Sequence, residues 1–183
     1  MNKRNIILIG MPGAGKSSVG VILAKVLGYE FIDTDLVIQH REKRLLREII
    51  ADEGNEGFLA IENEVNATLE ADKSVIAPGG SAIYGKEAME HFKEIGTIVY
   101  LKLSYEDLAK RLGNLKGRGV VLKEGQTLKD LYDERSKLYE QYAEITVDES
   151  GRDIQGTILA LREQIGICLL YTSDAADDSL RVD

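Results

Sequence analysis

The strongest chemical signal in the chain is Gly10-Met11-Pro12-Gly13-Ala14-Gly15-Lys16-Ser17, which fits the pattern G-x-x-x-x-G-K-[ST]. Successive backbone N–H groups wrap a polyphosphate only where no Cβ intervenes and left-handed dihedrals are allowed, which accounts for the glycines at 10, 13 and 15. In such a loop Lys16 places an ammonium on the β- and γ-phosphates, and the Ser17 hydroxyl ligates Mg²⁺. A helix after the loop adds its N-terminal dipole to the same anion. The pattern therefore predicts a nucleotide site.

Other residues are candidates because of where they fall relative to that loop. Asp33-Thr34-Asp35 closes a short apolar stretch, placing two carboxylates at the end of a strand. In an open α/β sheet that end faces the ligand crevice. The spacing also suits a helix cap, with Asp35 capping while Asp33 faces the metal. Gly79-Gly80, after a second apolar stretch, permits close approach of a substrate or forms a tight turn. Residues 113–125 are rich in glycine and lysine and hold the isolated Arg118. They read as a mobile lid that brings an arginine onto phosphates on closing, or else as a surface loop. Arg41, Lys43, Arg44 and Arg47 interleave with glutamates and read as a solvated helix face. His40 and His91 are expected to be solvated helix residues, and with Cys168 as the sole cysteine a disulfide or cysteine metal cluster is excluded.

The elements that must position these residues alternate. Ile6-Ile7-Leu8-Ile9 reads as a buried parallel strand before the loop, and residues 18–27 as a helix ending at Gly28. Further strands are expected over 29–32, 74–77, 97–101 and 145–147. Helices are expected across 36–69, broken at Gly54 and Gly57 with the second running over 56–71, and over 85–95. Three more follow: one opened by a Ser104/Asp107 capping box and running to Leu112, one capped by Thr127, and one over 154–165. Regular βα alternation predicts a three-layer α/β/α fold with a five-stranded parallel sheet.

At 183 residues, 44% hydrophobic and 30% charged, the chain suits a single domain. A net charge of -8 disfavours a nucleic-acid-binding surface. No apolar run reaches membrane-spanning length, and Lys3-Arg4 leads directly into a short strand, so a cytoplasmic protein is expected. The stretch Cys168-Leu169-Leu170-Tyr171-Thr172-Ser173-Asp174-Ala175-Ala176-Asp177 bears no relation to any preceding element. It is what one reading frame of a widely used transposase sequencing adapter encodes. Residues 1–167 are therefore expected to form the natural domain and 168–183 to be non-native read-through.

With these elements placed, residues 5–165 resemble the shikimate kinase family, small kinases of the nucleoside-monophosphate-kinase type with a P-loop and a mobile lid. The resemblance rests on the phosphate loop, Phe31-Ile32-Asp33-Thr34-Asp35, the glycines 79 and 80, Arg118, and the R-x-x-L-Y segment at 135–139. It implies transfer of the γ-phosphoryl of ATP, with Mg²⁺, to the 3-hydroxyl of shikimate by a monomer. Lys16 and the amides of Gly13, Ala14, Gly15, Ser17 and Ser18 would bind ATP phosphates. Ser17 would hold Mg²⁺ directly and Asp33 through water. Asp35 would hydrogen-bond the substrate hydroxyls and accept the proton, Gly79 and Gly80 would adjoin the substrate, and Arg135 would grip its carboxylate. Arg118 would close over the phosphates, and Arg111 and Arg152 would lie near the adenine. The acceptor-binding region would span about residues 33–62.

Three positions depart from the family pattern. Leu59 stands where an arginine usually supplies half of the carboxylate clamp, Ser81 where a third glycine is usual, and Gly119 where a proline follows the lid arginine. Losing the arginine removes a charge-assisted contact of about 1.5 to 3 kcal/mol. Either Arg47, Arg44 or Lys43 compensates and shikimate is the acceptor, or the acceptor is another small hydroxylated metabolite. A third reading is a nucleotide-dependent switch. Against that, no N-K-x-D segment for guanine recognition is present.

Overall fold

The computed structural model describes residues 4–113 and 122–166. Arg118, Gly119 and the tail 168–183 lie outside the described residues.

The expected alternation is present: β1 (Asn5–Ile9), α1 (Lys16–Leu27), β2 (Glu30–Asp33), α2 (Thr34–Glu42), α3 (Leu46–Ala67), β3 (Ser74–Ala77), α4 (Lys86–Ile95), β4 (Gly96–Lys102), α5 (Tyr105–Gly113), α6 (Leu128–Tyr142), β5 (Ile145–Asp148) and α7 (Ile154–Ile165). A 3₁₀ turn, Ala82–Tyr84, precedes α4. The five strands form one parallel sheet in the order β2-β3-β1-β4-β5.

Side chains alternate across each strand, so the apolar strands supply two cores. Ile7 and Ile9 of β1 face one layer with Ile76, Ile98 and Tyr100, against Met89 and Phe92 of α4 and Leu131 and Tyr139 of α6. Ile6 and Leu8 face the other with Val75, Val99 and Val147, against Val19 and Leu23 of α1 and Ile158 and Leu161 of α7. Helix α1 packs close to β2: a Cβ on Gly20 would stand 2.5 Å from Phe31 Cε2. That approach holds the start of α1, and the loop before it, against the sheet. A third small core of Ile38, Ile49, Phe58 and Val65 ties α2 to α3.

The helical region after β2 differs from expectation. It breaks first at residues 43–45, between α2 and α3, where Lys43 is left-handed at φ 54°, and again at Gly54 at φ 70° and ψ −179°, while Gly57 is helical and α3 ends at Ala67. The positive φ of Gly54 kinks α3, and the helix continues through Gly57 so that Phe58 and Glu62 share one face. His91 is half-buried rather than solvated, with Nε2 2.7 Å from the Leu69 carbonyl oxygen. His40 is exposed, as expected. Asp107 N–H donates to Ser104 Oγ at 3.2 Å, and Thr127 caps α6 in a box with Asp130.

Candidate active site

β1 is central and the chain leaves it in both directions, so the crevice at its carboxyl end is the switch point where α/β sheets bind ligands. The loop after β1, the Asp33/Asp35 turn after β2 and the glycines after β3 all open there. They line one cavity of about 650 Å³ with Lys16, Ser17, Ser18, Leu59, Glu62, Ser81, Tyr84 and Arg135.

In the phosphate loop, Gly15 is left-handed at φ 80° and precedes α1 without any side-chain cap. The first amides of α1 are therefore available to an anion. The Ala14 amide is engaged within the loop, donating to the Met11 carbonyl at 3.0 Å. Lys16 Nζ donates to the carbonyls of Gly10 (2.8 Å) and Met11 (3.0 Å). Burial pulls its pKa down to about 8, opposed by the charge of Asp35 and then helped by Arg135. A phosphate offered to this ammonium would replace two neutral acceptors with an anionic one.

The two aspartates exchange the capping role expected of them. Asp33, not Asp35, caps α2, with Oδ1 accepting from the Asp35 amide at 3.0 Å. It does so because Asp33 ends β2 in an extended conformation while Asp35 is already in the first helical turn. Asp35 is free to face the cavity. Its pKa is raised by burial and next by the Asp33 charge, against the pull of Lys16, which makes it a better proton acceptor than an exposed aspartate.

Gly79 and Gly80 are tightly enclosed. A Cβ on Gly79 would stand 2.6 Å from Glu62 Oε1 and 3.0 Å from Asp35 Oδ1. On Gly80 it would stand 2.8 Å from Pro12 Cδ and 3.1 Å from Arg135 Nη1. Gly80 thus lies where the phosphate loop meets the α6 arginine, and its carbonyl accepts from Tyr139 Oη at 2.7 Å. Arg135 is 6% exposed and its guanidinium carbon lies 5.5 Å from the centre of the Tyr84 ring. That stacking orients the fork toward the cavity.

Arg111 is held against the loop, Nη1 donating to the Gly13 carbonyl at 3.2 Å. Arg152 does not line the cavity; it is exposed after β5, its Nε donating to the Asp148 carbonyl at 3.0 Å. The cations expected to compensate for Leu59 do not line it either. Arg44 is drawn away by Glu42, Asp52 and Glu53 at 3.1 to 3.3 Å, and Arg47 and Lys43 are exposed. Lys123, from the chain leading into α6, does reach the cavity.

Oxygen donors suit Mg²⁺, which keeps several waters and takes one or two protein oxygens plus substrate phosphates. Ser17 and Asp33 line the cavity beside the loop and would fit such a set.

Comparison with known proteins decides the family. A family model described as shikimate kinase matches residues 12–165. The chain belongs to the shikimate kinase family. It is 36% identical over 168 residues to the shikimate kinase of Vibrio cholerae, covering 88% of this chain and 97% of that one. The shikimate kinase of Histophilus somni is 36% identical over 172 residues, covering 90% and 98%. Among solved structures, shikimate kinase from Acinetobacter baumannii in complex with shikimate superposes with a TM-score of 0.77 at 32% identity, covering 91% of this chain and 95% of that one. Family membership agrees with the P-loop kinase fold and with the resemblance drawn from the motifs.

Two buried carboxyls escaped the sequence reading. Glu62 is 1% exposed and Glu149, just after β5, is 4% exposed. Each has one oxygen without a hydrogen-bond partner, and burial pushes both pKa values up to about 7. Asp33 and Asp35 announce themselves beside a turn, whereas Glu62 looks like any helical glutamate. Its spacing from Leu59 was the available signal, since residues three apart share a helix face.

Proposed function

We propose that the protein phosphorylates the 3-hydroxyl of shikimate with ATP and Mg²⁺. The observation that carries this reading is the convergence of Lys16, Ser17, Asp33, Asp35, Gly80 and Arg135 on one cavity. The loop and the α1 amides bind the ATP phosphates, with Arg111 bracing the loop. Arg135 grips the acceptor carboxylate. Asp35 hydrogen-bonds the acceptor hydroxyl and takes its proton as the oxygen attacks the γ-phosphorus and ADP leaves. Ser17, and Asp33 through water, would hold Mg²⁺, whose charge would offset that of the phosphates. Positioning and electrostatics supply most of the rate in such transfers. Arg118 closes a lid at about 113–125 over the phosphates, and Arg152 lies toward the adenine.

The natural domain is residues 1–167, with the acceptor region at about 33–62, and the tail is adapter read-through. The protein is a cytoplasmic monomer that binds no nucleic acid. Among the described residues no helix is long and apolar enough to cross a membrane. Incubation with ATP, Mg²⁺ and shikimate, followed by ³¹P NMR, should show a shikimate phosphomonoester rising with ADP. ADP formed without that ester would overturn the assignment of the acceptor.

A further inference from the structure

Arg135 is buried, yet its Nε has no hydrogen-bond partner among the described residues. The Tyr84 ring, with its centre 5.5 Å from Cζ, is the platform that sets the plane of the guanidinium. A ring orients a cation only if the ring is itself fixed. Tyr84 closes the 3₁₀ turn that follows Gly79-Gly80-Ser81, and its hydroxyl donates to Glu134 Oε1 at 2.5 Å. Burial, and next the hydrogen bond to Glu134, raise the Tyr84 pKa against the pull of Arg135, so the hydroxyl keeps its proton and remains the donor.

Glu134 precedes Arg135 on α6, but adjacent residues of a helix do not face each other. Its carboxylate is directed elsewhere and collects groups from two other segments. Beyond Tyr84, Oε2 accepts from Gln126 Nε2 at 3.4 Å, and Oε1 lies 3.9 Å from Lys123 Nζ. Lys123 and Gln126 are the ends of one turn: the Gln126 amide donates to the Lys123 carbonyl at 3.0 Å, and the Lys123 amide donates to Gln126 Oε1 at 3.2 Å. Tyr84, Gln126 and Lys123 line the cavity with Arg135, whereas Glu134 is half-buried and stands behind them.

We propose that Glu134 is a positioning residue of the acceptor site: it anchors the Tyr84 hydroxyl, so that the Tyr84 ring holds the Arg135 guanidinium in the plane that meets the acceptor carboxylate. The inference rests on the reading of Arg135 as the grip on that carboxylate. A carboxylate paired directly with Arg135 would fix the fork equally well, but it would occupy the donors that the acceptor needs. An aromatic face orients the guanidinium and leaves its N–H edge free. Gln126 and Lys123 hold the other side of the Glu134 carboxylate and keep Oε1 on the Tyr84 hydroxyl.

The test measures the shikimate KM, the ATP KM and the calorimetric Kd of shikimate methyl ester, which keeps the hydroxyls and lacks the carboxylate charge. Tyr84→Phe retains the ring and loses its anchor, and Glu134→Ala removes the same bond from the other side. Each should raise the shikimate KM about fivefold to tenfold, with the ATP KM and the ester Kd retained. The double variant should lie within about twofold of either single one, because both remove one bond. Glu134→Gln keeps an oxygen for the Tyr84 hydroxyl and should stay within about twofold of wild type. The inference is overturned by an unaltered shikimate KM in Tyr84→Phe, by full additivity of Tyr84→Phe and Glu134→Ala, by a glutamine variant as weak as the alanine one, or by an equal loss of affinity for the ester. If Glu134→Ala does not fold, Tyr84→Phe and Glu134→Gln decide, since both preserve the packing. Absence of shikimate phosphate from the wild type would overturn the acceptor reading and this inference together. Transfer with a shikimate KM indifferent to the Tyr84 hydroxyl overturns the inference alone.

Discussion

Replacing Leu59 with arginine tests the acceptor half of the site. Leu59 is half-buried, lines the cavity with Arg135, and faces a space of about 650 Å³ that admits a longer side chain. A second guanidinium there would add one charge-assisted contact to the shikimate carboxylate, about 1.5 to 3 kcal/mol, or roughly tenfold to a hundredfold in affinity. The same arginine would pair with Glu62, restore its carboxylate and share its own charge with it. The expected gain is therefore at the lower end, a shikimate KM about tenfold below wild type at neutral pH. ADP release is measured with shikimate and ATP varied in turn. The structure removes the main reason to expect no effect, because Arg44 is committed to Glu42, Asp52 and Glu53 and lies outside the cavity. A folded Leu59→Arg protein with an unaltered shikimate KM would refute this reasoning and point to a cation already on the carboxylate, Lys123 first. An equal improvement in the ATP KM would show that the new charge acts on the phosphates instead.

Two further outcomes follow from the buried charges. Lys16→Met removes the ammonium that bridges the Gly10 and Met11 carbonyls, and kcat should fall about 10²- to 10³-fold, as for other lost electrostatic contacts to a reacting centre; single-turnover kinetics retaining more than a tenth of the rate would remove Lys16 from the transition state. Glu62 has a folded pKa of about 7 against an ordinary 4.5, so between these values the folded state holds a proton that the unfolded chain has lost. Its contribution is present below pH 4.5 and lost as pH rises through about 7. Glu62→Gln removes that loss and should be stabilised relative to wild type by up to about 3 kcal/mol above neutrality, roughly 6 to 12 °C in Tm, with little difference at acid pH. Melting curves that run parallel for the two proteins from pH 5 to about pH 8 would show that Glu62 does not ionise in this interval.

The fold was legible because its determinants are local. Strands such as Ile6-Ile7-Leu8-Ile9 are apolar on both faces, which only a covered parallel sheet accommodates. The phosphate loop was legible for a related reason: each of its glycines meets a backbone requirement that the residue type itself reveals. The division of labour between Asp33 and Asp35 was not, since capping depends on which residue is the last extended one, and boundaries shift by a residue without changing the pattern. The break at Gly57 was misjudged because glycine is tolerated within a helix when tertiary packing holds it there. His91 was misplaced for want of its partner, the Leu69 carbonyl at the far end of the preceding helical region.

What the sequence presents as two unrelated departures, Leu59 and Ser81, the structure joins through one atom pair. The sequence separates them by a helix and a strand, and no periodicity relates them. In space Ser81 Oγ is 2.6 Å from Glu62, and Glu62 lies one turn along the same helix from Leu59. A glycine at 81 would leave both oxygens of the acid without that donor, and an arginine at 59 would favour its ionised form. The two departures are therefore expected to be coupled energetically, which a double-mutant cycle of Leu59→Arg and Ser81→Gly on the shikimate KM measures directly. Strict additivity would mean that Glu62 does not connect them.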